Sequence, residues 1–174
     1  AKSVWEMTTG QASLCLTVAT GGAILAYVPV GAIAAKIGRK KTILSGIILM
    51  LISFVVALVF SLMSDTFSPI LYVLFLLVGF GWAGINVNSL PMVLEMCKGS
   101  DIGKFTGYYY TFSMSAQIVT PIVAGFLMEH VGYKALFPYA AVFMVIAFIT
   151  MQFVKHGDSR EGIKQGIDAF DFED

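Results

Sequence analysis

Charge is what this chain has little of. Only 13% of its 174 residues are Asp, Glu, Lys or Arg, against roughly 25% in soluble domains. With 57% of its residues hydrophobic, it lacks the polar surface of a soluble globule and points to a bilayer. Eleven basic residues offset eleven acidic ones, so net charge names no partner, and nucleic acid has no support. Only two cysteines are present. Cys15 and Cys97 fall near opposite ends of segments that run in the same direction, which argues against a disulfide. His130 lies in an outer loop with no second His, Cys or carboxylate at ligand spacing, so no metal site is expected. The G-x-x-x-x-G-K-[ST] phosphate loop is missing. No nucleophile, base and orienting group can be assembled either, so neither a cofactor nor catalysis is expected. Alternation of period two is absent, which argues against a transmembrane barrel. The chain starts on Ala1 without the charged region and short apolar core of a signal peptide. It reads as a piece of something longer.

What the chain does have is long apolar runs. Five segments stand out, at 12–35, 42–63, 69–96, 106–128 and 134–154. Each is long enough to cross about 30 Å of hydrocarbon at roughly 1.5 Å per residue. Backbone groups in lipid must be satisfied within the segment, so all five are predicted to be helices and the fold class to be an all-α integral membrane protein. Thr8 and Thr9 can cap the first span, Pro69 suits the first turn of the third, and Asp101 lies where a loop turns into the fourth. Residues 1–156 therefore form a transmembrane domain, and the polar, acidic-ending stretch 157–174 a cytoplasmic tail.

Basic residues predict the orientation. Lys36, Arg39, Lys40 and Lys41 fall between spans one and two, Lys98 and Lys104 between three and four, and Lys155, Arg160 and Lys164 after span five. Only Lys2 and Lys134 lie on the other side. This asymmetry places the start of the chain outside and its end in the cytoplasm. An odd number of spans starting outside implies at least one further helix upstream.

Polar groups inside the spans are the candidate functional residues. The stretch "GWAGINVNSLPMVLEM", 81–96, carries two asparagines, and an unpartnered buried amide costs about 2–7 kcal/mol. On a helix Trp82, Asn86 and Ser89 share one face, while Gly84, Asn88, Pro91 and Glu95 share a neighbouring one. The fourth span offers a matching stripe of Tyr110, Ser113, Gln117 and Thr120. Facing helices that carry amides, hydroxyls and aromatic rings suit a sugar, whose hydroxyls need paired donors and acceptors and whose C–H face stacks on rings. The alternative is that these amides only join helix to helix, worth about 0.6 kcal/mol each in membranes. The first span carries Thr17, Thr20, Gly21 and Gly22, which suit close packing first and contact with substrate second. The second and fifth hold little beyond Ser45, Ser53, Ser61 and Thr150 and can face lipid. The "YYY" run, 108–110, includes interfacial aromatics. No acid lies at mid-depth, with Glu95 near a cytoplasmic end and Asp65, Asp101 and Glu129 in loops, so a coupling acid is expected outside this chain.

The loop "GAIAAKIGRKKT", 31–42, permits a tight turn held against anionic headgroups, which a generic basic anchor would also do. It resembles the G-x-x-x-D-R-x-G-R-[RK]-[RK] signature of major facilitator transporters through Gly31, Lys36, Gly38, Arg39, Lys40 and Lys41. Ala35 stands where the signature has aspartate, which removes the basis for a charge-relay role and is more usual for the second half's copy. The stretches "GWAGINVNSLPMVLEM", "IGKFTGYYYTFSMSAQIVTPIVAGFLME" and "GYKALFPYAAVF" are similar to helices ten to twelve of the glycoside-pentoside-hexuronide branch, which includes sucrose-type symporters. That resemblance implies helices eight to twelve of a twelve-helix fold, most of its C-terminal six-helix half, with the N-terminal helical half missing. It implies a plasma-membrane carrier of a small-molecule substrate, a sugar or glycoside, coupled to H+ or Na+ by alternating access, with the eighth, tenth and eleventh helices bordering the cavity. The competing expectation is a non-transporting membrane scaffold or sensor.

Overall fold

The computed structural model describes residues 4–64, 66–97, 99–155 and 157. Helix α1 spans Thr9–Ile37, α2 Arg39–Met63, α3 Ile70–Leu94, α4 Ile102–His130 and α5 Leu136–Phe153, with short 3-10 turns at Gly99–Asp101 and Tyr133–Ala135. All five helices are long and apolar enough to cross a membrane. Most of the stretch assigned to a tail lies outside the described residues, as do Lys2, Asp65, Lys98, Arg160 and Lys164. Glu129, expected in a loop, instead lies in the last turn of α4.

Local signals set the helix ends. Thr8 caps α1 in a capping box: its hydroxyl accepts from the Gln11 N–H at 3.2 Å, and the Gln11 side chain accepts from the Thr8 N–H at 2.9 Å. Gly38 serves two helices at once. Its N–H donates to the Ala34 carbonyl at 2.9 Å, closing α1, and its carbonyl accepts from the Thr42 N–H at 3.2 Å, opening α2. Its φ of 97° is a conformation that side chains rarely adopt, so a one-residue reversal here calls for glycine. Asp101 precedes α4, but its side chain makes no capping bond.

Helix α3 is the centre of the packing and lies against both α1 and α2, while α5 packs on α2. Small residues allow the close approach. A Cβ added at Gly46 would stand 2.7 Å from the Gly81 carbonyl, and one at Gly79 would run into the Ala19 backbone of α1. Buried hydroxyls on α2 are satisfied within their own helix: Ser53 donates to Leu49 O and Ser61 to Leu58 O, both at 2.8 Å. The outward side of α2, with Ile48, Ile52, Val59 and Leu62, is exposed and apolar, as a lipid-facing surface requires.

Each end of the bundle is tied differently. At one end Trp5 is buried among Phe60 of α2, Phe137 at the start of α5 and Leu71 of α3, with ring centroids 6.2 Å from Phe60 and 5.3 Å from Phe137. At the other, Arg39 pairs with Glu95, just past the end of α3. Beside it, Lys40 Nζ donates to the Gln152 and Val154 carbonyls at 3.0 and 2.6 Å and so caps α5. These ties place the α1–α2 turn with the ends of α3 and α5, and the chain alternates direction across the layer. Cys15 is buried near Trp5 while Cys97 follows α3, and both thiols are free.

Candidate functional site

Helix α4 meets α3 along only part of its length, and no residue of α4 is fully buried. Between them lies a groove of about 950 Å³. From α3 it receives Trp82, Ile85, Asn86, Ser89, Leu90 and Val93, and from α4 Phe105, Tyr108, Tyr109, Tyr110, Phe112, Ser113 and Gln117. None of the lining residues is charged among the described residues.

The helical period explains which polar groups arrive. Asn86 and Ser89 follow Trp82 at intervals of four and three, which keeps all three on the α4 side of α3. Trp82 and Asn86 are exposed in the groove, and the Asn86 amide makes no hydrogen bond among the described residues. It is therefore available to a ligand as both donor and acceptor. On α4, Gln117 Nε2 donates to Ser113 Oγ at 3.3 Å, so these two act as a linked pair. Tyr110 is exposed and stands edge-on to Tyr109, with centroids 5.3 Å apart. Among the described residues, the one polar bond across the groove joins Ser89 Oγ and Tyr109 Oη at 2.8 Å.

Two of the expected site residues lie elsewhere. Asn88 is 2% exposed and donates to the Gly84 carbonyl of its own helix at 2.8 Å. Two residues are about 200° of helix, so Asn88 points away from Asn86, on the side where Gly84 approaches Thr42 and Gly46 of α2. Thr120 is exposed but does not line the groove. It lies about 16 Å along α4 from Tyr109, past the stretch that faces α3. Of the first-span candidates, Thr17 and Thr20 are exposed, Thr17 donating to Ser13 O at 3.0 Å, and Gly22 packs against Leu76 of α3.

Tyr109 is the residue that the stripe reading misses. The interval from Tyr110 to Gln117 picks out one tyrosine, yet Tyr109, Ser113 and Gln117 are spaced four and four and fit one helix face equally well. The loop signature also does more than face headgroups, since Arg39 and Lys40 join the ends of three helices. Gly31 lies near Val87, and Lys36 and Lys41 are exposed at the same end.

The sequence profile described as the Major Facilitator Superfamily matches residues 3–167. Among curated proteins, the "MFS-type transporter ppzB" of Metarhizium majus (strain ARSEF 297) is 29% identical over 126 residues, covering 72% of this chain and 26% of that protein. The protein of the same name from Metarhizium rileyi (strain RCEF 4871) is 27% identical over 134 residues, covering 77% of this chain and 27% of that protein. The chain thus spans about a quarter of the length of these relatives. No solved structure matches.

Proposed function

Because the chain belongs to the Major Facilitator Superfamily, we propose that it forms part of a secondary active transporter that carries an uncharged, hydroxyl-bearing solute, a sugar or glycoside, by alternating access about the α3–α4 groove. One observation carries this reading: Asn86, Ser89, Tyr109, Ser113 and Gln117 reach a single hollow from two facing helices, with aromatic rings among them and no charged lining residue among the described residues. Amide and hydroxyl groups offer a donor and an acceptor to each sugar hydroxyl, while Trp82 and Tyr110 offer faces for stacking. An ionic solute would leave water here without a counter-charge from this wall.

In this scheme the chain supplies helices eight to twelve of a transporter of the glycoside-pentoside-hexuronide branch, with the motif residues 31–41 and the stretch 81–96 as support. The N-terminal half supplies the opposing wall and the acid that couples transport to H+ or Na+. The transporter sits in the plasma membrane with Trp5 toward the outside and Arg39 and Lys40 toward the cytoplasm, because Lys36, Arg39, Lys40, Lys41, Lys104 and Lys155 gather toward the latter end. The reading of the amides as packing groups fits Asn88, bonded within its own helix, but leaves the exposed Asn86 amide without a role.

Uptake of a labelled glycoside by cells expressing the full-length protein is the test. Asn86→Ala and Gln117→Ala each remove a ligand hydrogen bond worth about 1 kcal/mol, or roughly 5-fold in KM. Unchanged uptake by the double variant at equal expression would overturn the site.

A further inference from the structure

A second hollow backs onto the groove. It has a volume of about 350 Å³ and lies between α2, α3, α4 and α5. Ile85, Ser89, Val93 and Tyr109 line both hollows, so the Ser89–Tyr109 hydrogen bond stands in their common wall. Beyond that wall the cleft is apolar, with Ile43, Ile47, Met92, Met96, Ala147, Met151 and Val154 in its lining and Thr150 the one further hydroxyl among the described residues. Thr150 Oγ1 is already turned onto its own helix, 2.9 Å from the Ile146 carbonyl and 3.0 Å from that of Ala147. A polar group entering would lose its water and gain little in return. Hydrocarbon suits the cleft, and its methionines, Met92, Met96 and Met151, can adjust around it.

We infer that the ligand site is bipartite. The groove holds the hydroxyl-bearing head of the solute, the cleft behind Tyr109 holds a slim alkyl substituent of the same molecule, and Tyr109 is the specificity-determining partition between them. The inference rests on the groove being a solute site, as proposed above. The cleft's occupant is assigned to the solute because the two hollows adjoin, with Ile85, Ser89, Val93 and Tyr109 lining both. Opening the Ser89–Tyr109 bond to admit the tail offsets part of the affinity gained by burying its methylenes without abolishing that gain.

The test uses the full-length protein in lipid nanodiscs. Binding of radiolabelled methyl, butyl and hexyl β-D-glucopyranosides is measured by equilibrium dialysis, with uptake by empty nanodiscs subtracted. Affinity is expected to rise with tail length, by up to about 4-fold per methylene. Ala147→Phe fills the cleft and should flatten that rise while preserving methyl glucoside binding; Thr150→Leu serves the same purpose if the larger ring disturbs folding. Tyr109→Phe frees the partition and should favour hexyl over methyl glucoside by about 5-fold more than in the parent. A rise that persists in both cleft-filling variants would assign the tail to the bilayer and overturn the inference. Equal affinity for all three glucosides in the parent would overturn it and leave the groove reading standing. Binding of none of the three would remove the groove reading and the extension with it.

Discussion

Replacing Gly79 by alanine tests the packing that positions α3. A Cβ at that position meets the carbonyl oxygen, carbonyl carbon and Cα of Ala19, all backbone atoms of α1. A flexible side chain could turn aside, but a helix backbone has to move as a body. The closest of the three contacts lies inside any distance that real Cβ atoms show, so α1 must shift away from α3 along their interface. Overpacking of this kind costs about 1–3 kcal/mol. At roughly 2–4 °C per kcal/mol for a chain of this size, the melting temperature should fall by several degrees. Gly125→Ala is the matched control: nothing lies within 4 Å of its added Cβ, and alanine is favoured over glycine inside a helix by about 0.5–1 kcal/mol. Melting can be followed in detergent by the reaction of Cys15, which is 0% exposed, with a thiol-sensitive dye. Equal melting temperatures for the two variants would refute the account of α3 packing.

Two further predictions concern the ends of the bundle. Trp5→Ala removes a 1% exposed ring packed on Phe60 and Phe137 and should cost about 3–5 kcal/mol. Trp5→Phe should cost much less, because it also removes an indole N–H that has no partner among the described residues; thermal melts of the two variants compare them directly. Lys40→Met should loosen the end of α5 more than Arg39→Met loosens the end of α3. Lys40 makes two charge-assisted bonds to terminal carbonyls, worth about 1.5–3 kcal/mol each at most, whereas Arg39–Glu95 is a partly exposed pair worth about 0–1 kcal/mol. Amide hydrogen exchange at residues 150–154 and 92–95 reads the two effects separately.

The elements legible in the sequence are those set by local chemistry. Apolar runs of spanning length, the Thr8 cap and the Gly38 turn each depend on a few adjacent residues, and all are found in the structure. The groove was legible only as periodicity. The intervals Trp82–Asn86–Ser89 and Ser113–Gln117 put polar groups on one face of each helix, but no local signal says which face of α3 meets α4. Asn86 and Asn88 are the same residue type two positions apart, and only the approach of α2 to Gly84 assigns one to the interior and the other to the groove. Tyr109 was hidden among three tyrosines because its role comes from Ser89, twenty positions away. The same holds for Lys40, whose partners lie more than a hundred residues along the chain.

The central claim is that the α3–α4 groove is a wet hollow built for a polar solute, and cysteine accessibility addresses it most directly. On a Cys15→Ala, Cys97→Ser background, Asn86→Cys and Gln117→Cys should react rapidly with a small anionic thiosulfonate reagent and be slowed by a bound glycoside. Asn88→Cys should stay unreacted. Asn86→Cys and Gln117→Cys as inert as a thiol at the exposed apolar position Val28 would place both groups in lipid and contradict the claim.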